Sequence, residues 1–370
     1  DLLRAGPAAD RRSDADQPAA LFYTSGTTGT PKGVIHTHGS LTGAIANQVA
    51  AIGLGERDKT LIVLPVCYLI AFGSQVLPFH AVGATSVVLP GFEPQQMLAA
   101  MRTHAPTKLY GFPKVYQELA DVAQASAGEV GGLNFCFSGG EAMAVALQQR
   151  FKATFGVEVS EGCGMTELHI YSLNPPHGAK KVGSIGRPLA GMEVRLIDEQ
   201  GQPVAEAGII GEILVHGASM TAGYWKNPEL TRQTIEGGWF HTGDLARRDA
   251  DGDYWFFSRR SEVIRQHGRL ISPLEVEAAL YRHPAVKEVG VAGIPDGAGG
   301  GWAVAHVVLK PGATVDERTL LDFLAADLGA EKLPRQIVFT DHLPYGLTGK
   351  IDRRALAAHP IEAPLPSSGE

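Results

Sequence analysis

The run "YTSGTTGTPKGVIH", from Tyr23 to His36, contains four threonines, one serine, three glycines, one proline and one lysine. Few of these residues can build a core, but several can do chemistry. Backbone amides without bulky side chains approach phosphate oxygens closely. The hydroxyls of Ser25, Thr27 and Thr28 add donors, Gly26 and Gly29 free the backbone, and Lys32 supplies a positive charge. A Gly/Ser/Thr run is otherwise a flexible surface loop. Two features favour phosphate binding here: the strand-like "AALFYTS" leads into the loop, and Pro31 stiffens it just before Lys32. The string G-x-x-x-x-G-K-[ST] is absent, so this is not a Walker A loop.

The elements that must position this loop alternate along the chain. "SLTGAIANQVAAIG" has helical spacing, and "TLIVLPV" and "ATSVVLPG" are β-branched runs bounded by Pro and Gly. "QQMLAAMRTHA" and "MAVALQQRFKATFG" are amphipathic, the second stopping at Gly156. This pattern predicts a layered α/β domain with a largely parallel sheet. From about residue 182 the runs become short strands with turn signals, which predicts a β-rich subdomain. In "SPLEVEAALYRH", Ser272 is placed as N-cap, Pro273 as the first helical residue and Glu275 to close a capping box. With the strand "WAVAHVVLK" and the helix "DERTLLDFLAADLG", it predicts a small α+β C-terminal domain. The resulting division is an arm at 1–20, a large domain at 21–258, a junction at 259–261, a small domain at 262–358 and a disordered tail at 359–370.

Composition narrows the function classes. The chain has 370 residues, 44% hydrophobic and 19% charged, an ordinary globular balance. A net charge of −7 gives a nucleic-acid partner no electrostatic support. No apolar run reaches the roughly 20 residues of a membrane span. Three cysteines lie far apart with no C-x-x-C, which suits a reducing cytoplasm rather than a disulfide or zinc framework. The first residue is Asp rather than Met, which reads as a fragment of a longer protein.

"YTSGTTGTPKGV" resembles the phosphate-binding signature of the adenylate-forming superfamily of acyl- and aryl-CoA synthetases, peptide synthetase adenylation domains and luciferases. "GCGMTE" (Gly162 to Glu167) is similar to that family's G-Y-G-x-T-E. "GSIGRPLAG", "GEILVHGASMTAGYWKNPELT", "WFHTGDLA", "SRRSEVIRQHGRLISPLEVE" and "LPYGLTGKIDRRAL" match further family segments in order. The resemblance runs from about residue 20 to 357, and members are usually longer at the N-terminus.

The resemblance implies a two-step reaction. A carboxylate attacks the α-phosphorus of ATP, giving an acyl-adenylate and pyrophosphate, and a thiol, usually coenzyme A, then displaces AMP. Charge building on phosphorus and on the leaving pyrophosphate requires donors and cations. On this pattern Lys350, presented by Thr348 and Gly349, supplies the key cation. Glu167 binds Mg2+ and Thr166 donates to a phosphate. Thr24, Ser25, Gly26, Thr27, Thr28, Gly29 and Lys32 hold the phosphates. Gly139, Gly140 and Glu141, with Gly162, Cys163, Gly164 and Met165, surround the adenine, and Phe256 lies near the nucleotide. Asp244 takes the ribose hydroxyls and Arg259 adds a ribose or phosphate contact. The acyl pocket maps to Tyr68, Phe72, Gly111, Gly139, Gly164, Leu168 and His169. Gly268 lets a pantetheine arm pass, and Arg260, Arg265 and Arg269 lie near enough in sequence to meet phosphates of coenzyme A or of a carrier-protein arm. Each type also has a plainer reading: a solvated lysine, a helix-start glutamate, an aspartate in a turn, a core aromatic, a satisfied histidine, a charged face.

Three positions depart from the pattern. Cys163 stands where tyrosine usually stacks on adenine, Ser261 where the hinge usually carries Asp or Lys, and Tyr68 where a pocket histidine is common. The pocket positions are apolar and partly aromatic without an acidic group, which favours an aryl or medium acyl acid over an amino acid. The sequence therefore predicts an acid–thiol ligase using ATP, Mg2+ and coenzyme A. Transfer to a carrier protein is the nearest alternative, and a non-catalytic nucleotide-binding scaffold is the alternative of another class.

Overall fold

The computed structural model describes residues 13–24, 31–125, 131–178, 180–297, 300–345 and 351–358. Contacts divide the chain into two units. One comprises residues 1–242 and 247–255, the other 243–246 and 256–370. The division passes through the strands Trp239–Arg248 and Tyr254–Arg259.

The larger unit is built on a seven-stranded sheet. The strands Lys59–Ile62, Thr85–Val88, Lys108–Gly111, Phe135–Ser138 and Val159–Met165 pair in parallel. His169–Leu173 and Arg187–Pro188 continue the sheet antiparallel. Lys108–Gly111 and Phe135–Ser138 are buried along their whole length, as central parallel strands with both faces covered must be. Leu61, Ile62, Leu109 and Cys136 form a core with Met97, Met101, Tyr116, Leu119 and Phe151 from the helices Pro94–His104, Pro113–Ala125 and Val145–Phe155. Lys108 is buried in this sheet because Asp58 and Asn134 each meet its ammonium at 2.7 Å.

A second, three-stranded sheet joins Pro18–Thr24, Lys32–Thr37 and Gly223–Tyr224. Pro18 pairs with Thr37, so residues 18–20 belong to this sheet rather than to an arm. The helix His38–Ile52 starts at once: Thr37 and Ser40 cap each other at 3.1 and 3.0 Å, and Gly53 ends the helix at φ +61°. The predicted β-rich part is a sheet of Met192–Ile197, Ile210–Gly217, Trp239–Arg248 and Ile235–Glu236, with Tyr254–Arg259 on Trp239–Arg248.

The smaller unit packs the helices Pro273–Leu280 and Glu317–Leu328 on a sheet of Val286–Pro295, Gly301–Leu309 and Gln336–Phe339. Ser272 holds the N-cap position of Pro273–Leu280, but its side chain does not cap. Its hydroxyl donates to the Phe257 carbonyl, and Glu275 pairs with Lys332, so the predicted capping box does not form. The bond to a strand carbonyl that the linear pattern cannot reveal turns the hydroxyl oxygen away from the helix amides it was placed to accept.

Close backbone approach controls one turn of the large sheet. A Cβ at Gly186 would lie 2.0 Å from the Leu173 carbonyl, at φ +76°. Gly186→Ala is expected to lower unfolding free energy by about 2 to 5 kcal/mol, the sum of overpacking and left-handed backbone costs. Urea denaturation checks this; a midpoint unchanged from wild type contradicts it.

Candidate active site

The site of the larger unit is organised by the turn after Val159–Met165. Gly162 and Gly164 stand where a Cβ would fall 2.6 Å from the carbonyl oxygens of Ser172 and His169, so this strand and His169–Leu173 come together only because both are glycine. Cys163 lies between them, and its Sγ accepts the Tyr171 hydroxyl at 3.1 Å.

Glu167 is buried in the turn that follows. Its Oε1 accepts the Tyr224 hydroxyl at 2.8 Å. Burial, with the Glu167 charge adding to it, holds the Tyr224 phenol well above its usual pKa, so Tyr224 remains a donor. The Glu167 carbonyl accepts the Thr221 amide at 2.7 Å. The Thr166 carbonyl accepts from His36 Nε2 at 2.7 Å, and His36 Nδ1 meets the Ser40 hydroxyl at 3.0 Å. A carbonyl can only accept, so Nε2 carries the proton and Nδ1 accepts. Burial pushes the His36 pKa down, which keeps this neutral tautomer. Lys32 lies on the same strand as His36, its ammonium 6.0 Å from the Tyr224 ring centroid. Lys32, Thr166, Glu167 and Tyr224 are thus gathered from three segments of one unit. Tyr224 occupies one oxygen of Glu167, and an oxygen donor of this kind fits a hard divalent cation.

A second wall lies beside it. His169 is buried at φ +58° on Gly73, where a Cβ would meet its ring at 2.7 Å. Its ring centroid is 4.6 Å from that of His36. Among the described residues neither nitrogen of His169 has a hydrogen-bond partner, and burial holds the ring far below its usual pKa. Phe72 adjoins Gly73, and Phe22 bridges Phe72 and His36 at ring distances of 5.8 and 6.0 Å. Tyr68 is half-exposed at the start of the same helical segment, whereas Leu168 is fully enclosed. Gly111 instead meets the Ser138–Met143 side, accepting the Gly139 amide at 3.4 Å. Gly139 is buried there, and Gly140 and Glu141 are exposed.

In the smaller unit Asp244 is buried and pairs with Arg259 at 2.9 Å. Phe256 is half-buried, while Ser261 and Arg260 are exposed. Gly268 and His267, at φ +74° and +49°, form the two-residue turn between Ile264–Gln266 and Arg269–Ile271, where both positions need left-handed backbone. Arg265 is exposed, and Arg269 pairs with Glu331 at 2.6 Å. Ser25, Gly26, Thr27, Thr28, Gly29, Thr348, Gly349 and Lys350 lie outside the described residues.

Sequence reading passed over Tyr224, His36, Thr221 and Phe22. Tyr224 stood within the quoted "GYWKNPE", but nothing linear linked it to Glu167.

Comparison with known proteins agrees with this geometry. Residues 3–225 match the model of the AMP-binding enzyme family, and residues 275–350 match that of the AMP-binding enzyme C-terminal domain. A feruloyl-CoA synthase from Amycolatopsis sp is 35% identical over 338 residues, covering 91% of this chain and 68% of the relative. A benzoate–CoA ligase from Thauera aromatica is 36% identical over 345 residues, covering 91% of this chain and 65% of the relative. Among solved structures, ATP-bound MatB from Rhodopseudomonas palustris superposes with a TM-score of 0.88 at 30% identity, over 95% of this chain and 70% of that one. An anthranilate CoA ligase in complex with anthranoyl-AMP superposes with a TM-score of 0.84 at 35% identity, over 95% and 69%. Fold and site therefore define an adenylate-forming CoA ligase. The chain belongs to the AMP-binding enzyme family. It activates a carboxylic acid with ATP and Mg2+ as an acyl-adenylate and transfers the acyl group to coenzyme A. Among the described residues no helix is long and apolar enough to cross a membrane.

Tyr224→Phe removes the hydroxyl that holds Glu167 and leaves the ring in place. Loss of a hydrogen bond to a charged group is worth about 1.5–3 kcal/mol, so the Mg2+ concentration for half-maximal pyrophosphate release is expected to rise on the order of tenfold. A Mg2+ titration at saturating acid checks it; an unshifted curve means that Tyr224 does not shape the carboxylate.

Proposed function

We propose that the ligase acts on an aryl or medium-length acyl acid, and that its residues divide the work as follows. Glu167 holds Mg2+, with its carboxylate aimed by Tyr224. Thr166 and Lys32, with Thr24 and the segment Ser25–Gly29, hold the phosphates. Asp244 and Arg259 serve the ribose, and Gly139–Glu141 with Gly162–Met165 and Phe256 surround the base. Lys350 draws the acid carboxylate and the α-phosphate together and neutralises charge as the new bond forms. Residues 21–258 and 262–358 act as large and small domains about a hinge at 259–261, with Ser261 as pivot. Gly268 and its arginine neighbours serve the thiol step. Coenzyme A rather than a carrier protein is the acceptor, and three free thiols suit a cytoplasmic setting.

The observation that carries this reading is the buried Glu167 carboxylate, held by Tyr224 with Lys32 close to the same ring. A binding-only scaffold needs no such carboxylate. The acid class rests on the wall of Phe22, Phe72, His36 and His169. This wall is aromatic, and the His169 ring, unpartnered among the described residues, is a neutral imidazole suited to a hydroxyl or similar substituent on the acid.

Two measurements test the assignment. Lys350→Ala is expected to slow adenylate formation on the order of a hundredfold or more, as loss of one transition-state charge contact does. Thioester formation from pre-made acyl-adenylate is expected to survive, and equal loss of both half-reactions counts against the role. A panel of carboxylic acids, read by pyrophosphate release, identifies the substrate. On that panel His169→Leu is expected to lower kcat/KM for a hydroxylated aryl acid by about tenfold relative to the unsubstituted acid, the worth of one buried hydrogen bond. An unchanged ratio removes His169 from substrate recognition.

A further inference from the structure

Six residues before Glu167, the strand that leads into its turn carries a second buried carboxylate. Glu161 is 5% exposed. Its Oε1 accepts the Met143 amide at 2.9 Å. Its Oε2 accepts the Gln148 side-chain amide at 2.5 Å and the Gly183 amide at 3.0 Å. Its own carbonyl accepts the Asn174 amide at 2.8 Å. The side chain thus ties the strand Val159–Met165 to the segment Ser138–Met143, to the first turns of Val145–Phe155 and to the loop before Ser184.

The sequence around these donors explains the need. Ala144 is the N-cap of Val145–Phe155 and makes no side-chain cap. The first amides of a helix have no internal partners, and the positive end of its dipole favours an anion. Glu161 brings that anion from a neighbouring strand. Gly140 in the segment has φ +79°, and a Cβ there would lie 3.0 Å from the Phe112 ring. The segment therefore has a shape that only glycine takes easily, and a carboxylate-bound amide marks its end. The segment is the one assigned to the adenine wall, opposite a strand on which Cys163 offers little area for stacking. With stacking reduced, the base is read mainly by backbone groups, whose usefulness depends on how firmly they are held.

We infer that Glu161 is the positioning residue for the base: by binding Met143, Gln148 and Gly183 together it sets where the backbone of Gly139–Glu141 meets adenine, and so sets nucleotide selectivity. This rests on the reading of Gly139–Glu141 as the adenine wall. The side-chain partners of Glu161 are Met143, Gln148 and Gly183, none of them assigned to the acid pocket, so its loss acts chiefly on the nucleotide.

The test compares ATP with inosine triphosphate, which differs only at the base edge, in pyrophosphate release by the whole chain with a good acid. Glu161→Ala is expected to raise the KM for ATP and to lower the ratio of kcat/KM for ATP to that for inosine triphosphate by about tenfold, the effect of losing one oriented hydrogen-bond contact. The KM for the acid is expected to change less than that for ATP, since of Gly139–Glu141 Gly139 alone is also assigned to the acid pocket. Glu161→Gln keeps the volume and one acceptor for the Met143 amide, and the Gln148 amide can turn to meet the new donor. It is expected to recover most of the selectivity; if Glu161→Ala does not fold, Glu161→Met, which keeps the volume but cannot bind the three N–H groups, stands as the test in its place. Gly140→Ala distorts the wall directly and separates the two ideas. If it lowers selectivity while folded Glu161 variants do not, the positioning role is overturned and the adenine wall stands. If Gly140→Ala also leaves selectivity unchanged, the wall is misassigned and the inference falls with it. Loss of ATP, inosine triphosphate and acid kinetics in equal measure in the Glu161 variants marks a merely structural residue and also overturns the inference.

Discussion

The larger unit depends on keeping a carboxylate buried without consuming it. Burial of a charge is costly unless hydrogen bonds compensate, but a carboxylate with every lone pair engaged has nothing left for a cation. Glu167 resolves this with one strong donor, the Tyr224 hydroxyl at 2.8 Å. Tyr224 can serve because burial and the neighbouring charge keep its proton in place. The donor comes from a two-residue strand that pairs with the strand bearing Lys32, so Lys32 and the tyrosine that holds Glu167 share one small sheet. Whatever shifts that sheet shifts Lys32 and the donor to Glu167 together.

Glu161 and Glu167 show how surroundings divide one residue type between two jobs. Glu161 is met by three N–H groups and is largely saturated, so it acts as a fastener. Among the described residues Glu167 is met at its carboxylate by one hydroxyl, that of Tyr224. Between them, Gly162 and Gly164 admit the backbone of His169–Leu173 to within a distance that no Cβ tolerates. Cys163 inherits a place where the chains are close, and the Tyr171 hydroxyl caps its sulfur. The sulfur of Cys163 thus lies against a fully buried phenol of the neighbouring strand.

The smaller unit is organised around a different electrostatic knot. Arg353 donates to both oxygens of Glu277, to the Val291 carbonyl and to Glu262, while Glu277 also accepts the Val291 amide. Burial raises the Glu277 carboxyl and the arginine opposes that rise. Removing one partner from such a pair leaves an uncompensated charge, so the helix Arg353–Ala357 is bound to the core of its unit. In sequence, two residues separate Lys350 from this anchor.

Much of this was legible in the linear chain, and the reason is locality. Phosphate loops, helix stops such as Gly156 and β-branched runs such as "TLIVLPV" are contiguous, and their physics acts over a few residues. The family motifs are contiguous for the same reason, so the chemistry and the α/β class could be read before any coordinates. The tertiary structure alone decided which distant groups meet. His36 finds the Thr166 carbonyl across 130 residues, Thr221 finds Ile35 across 186, and Tyr224 finds Glu167 across 57. The Ser272 hydroxyl, placed by local rules as a cap, is drawn instead to the Phe257 carbonyl. No periodicity encodes such pairings. They are set when sheets close and each buried donor must take the acceptor that lies within reach.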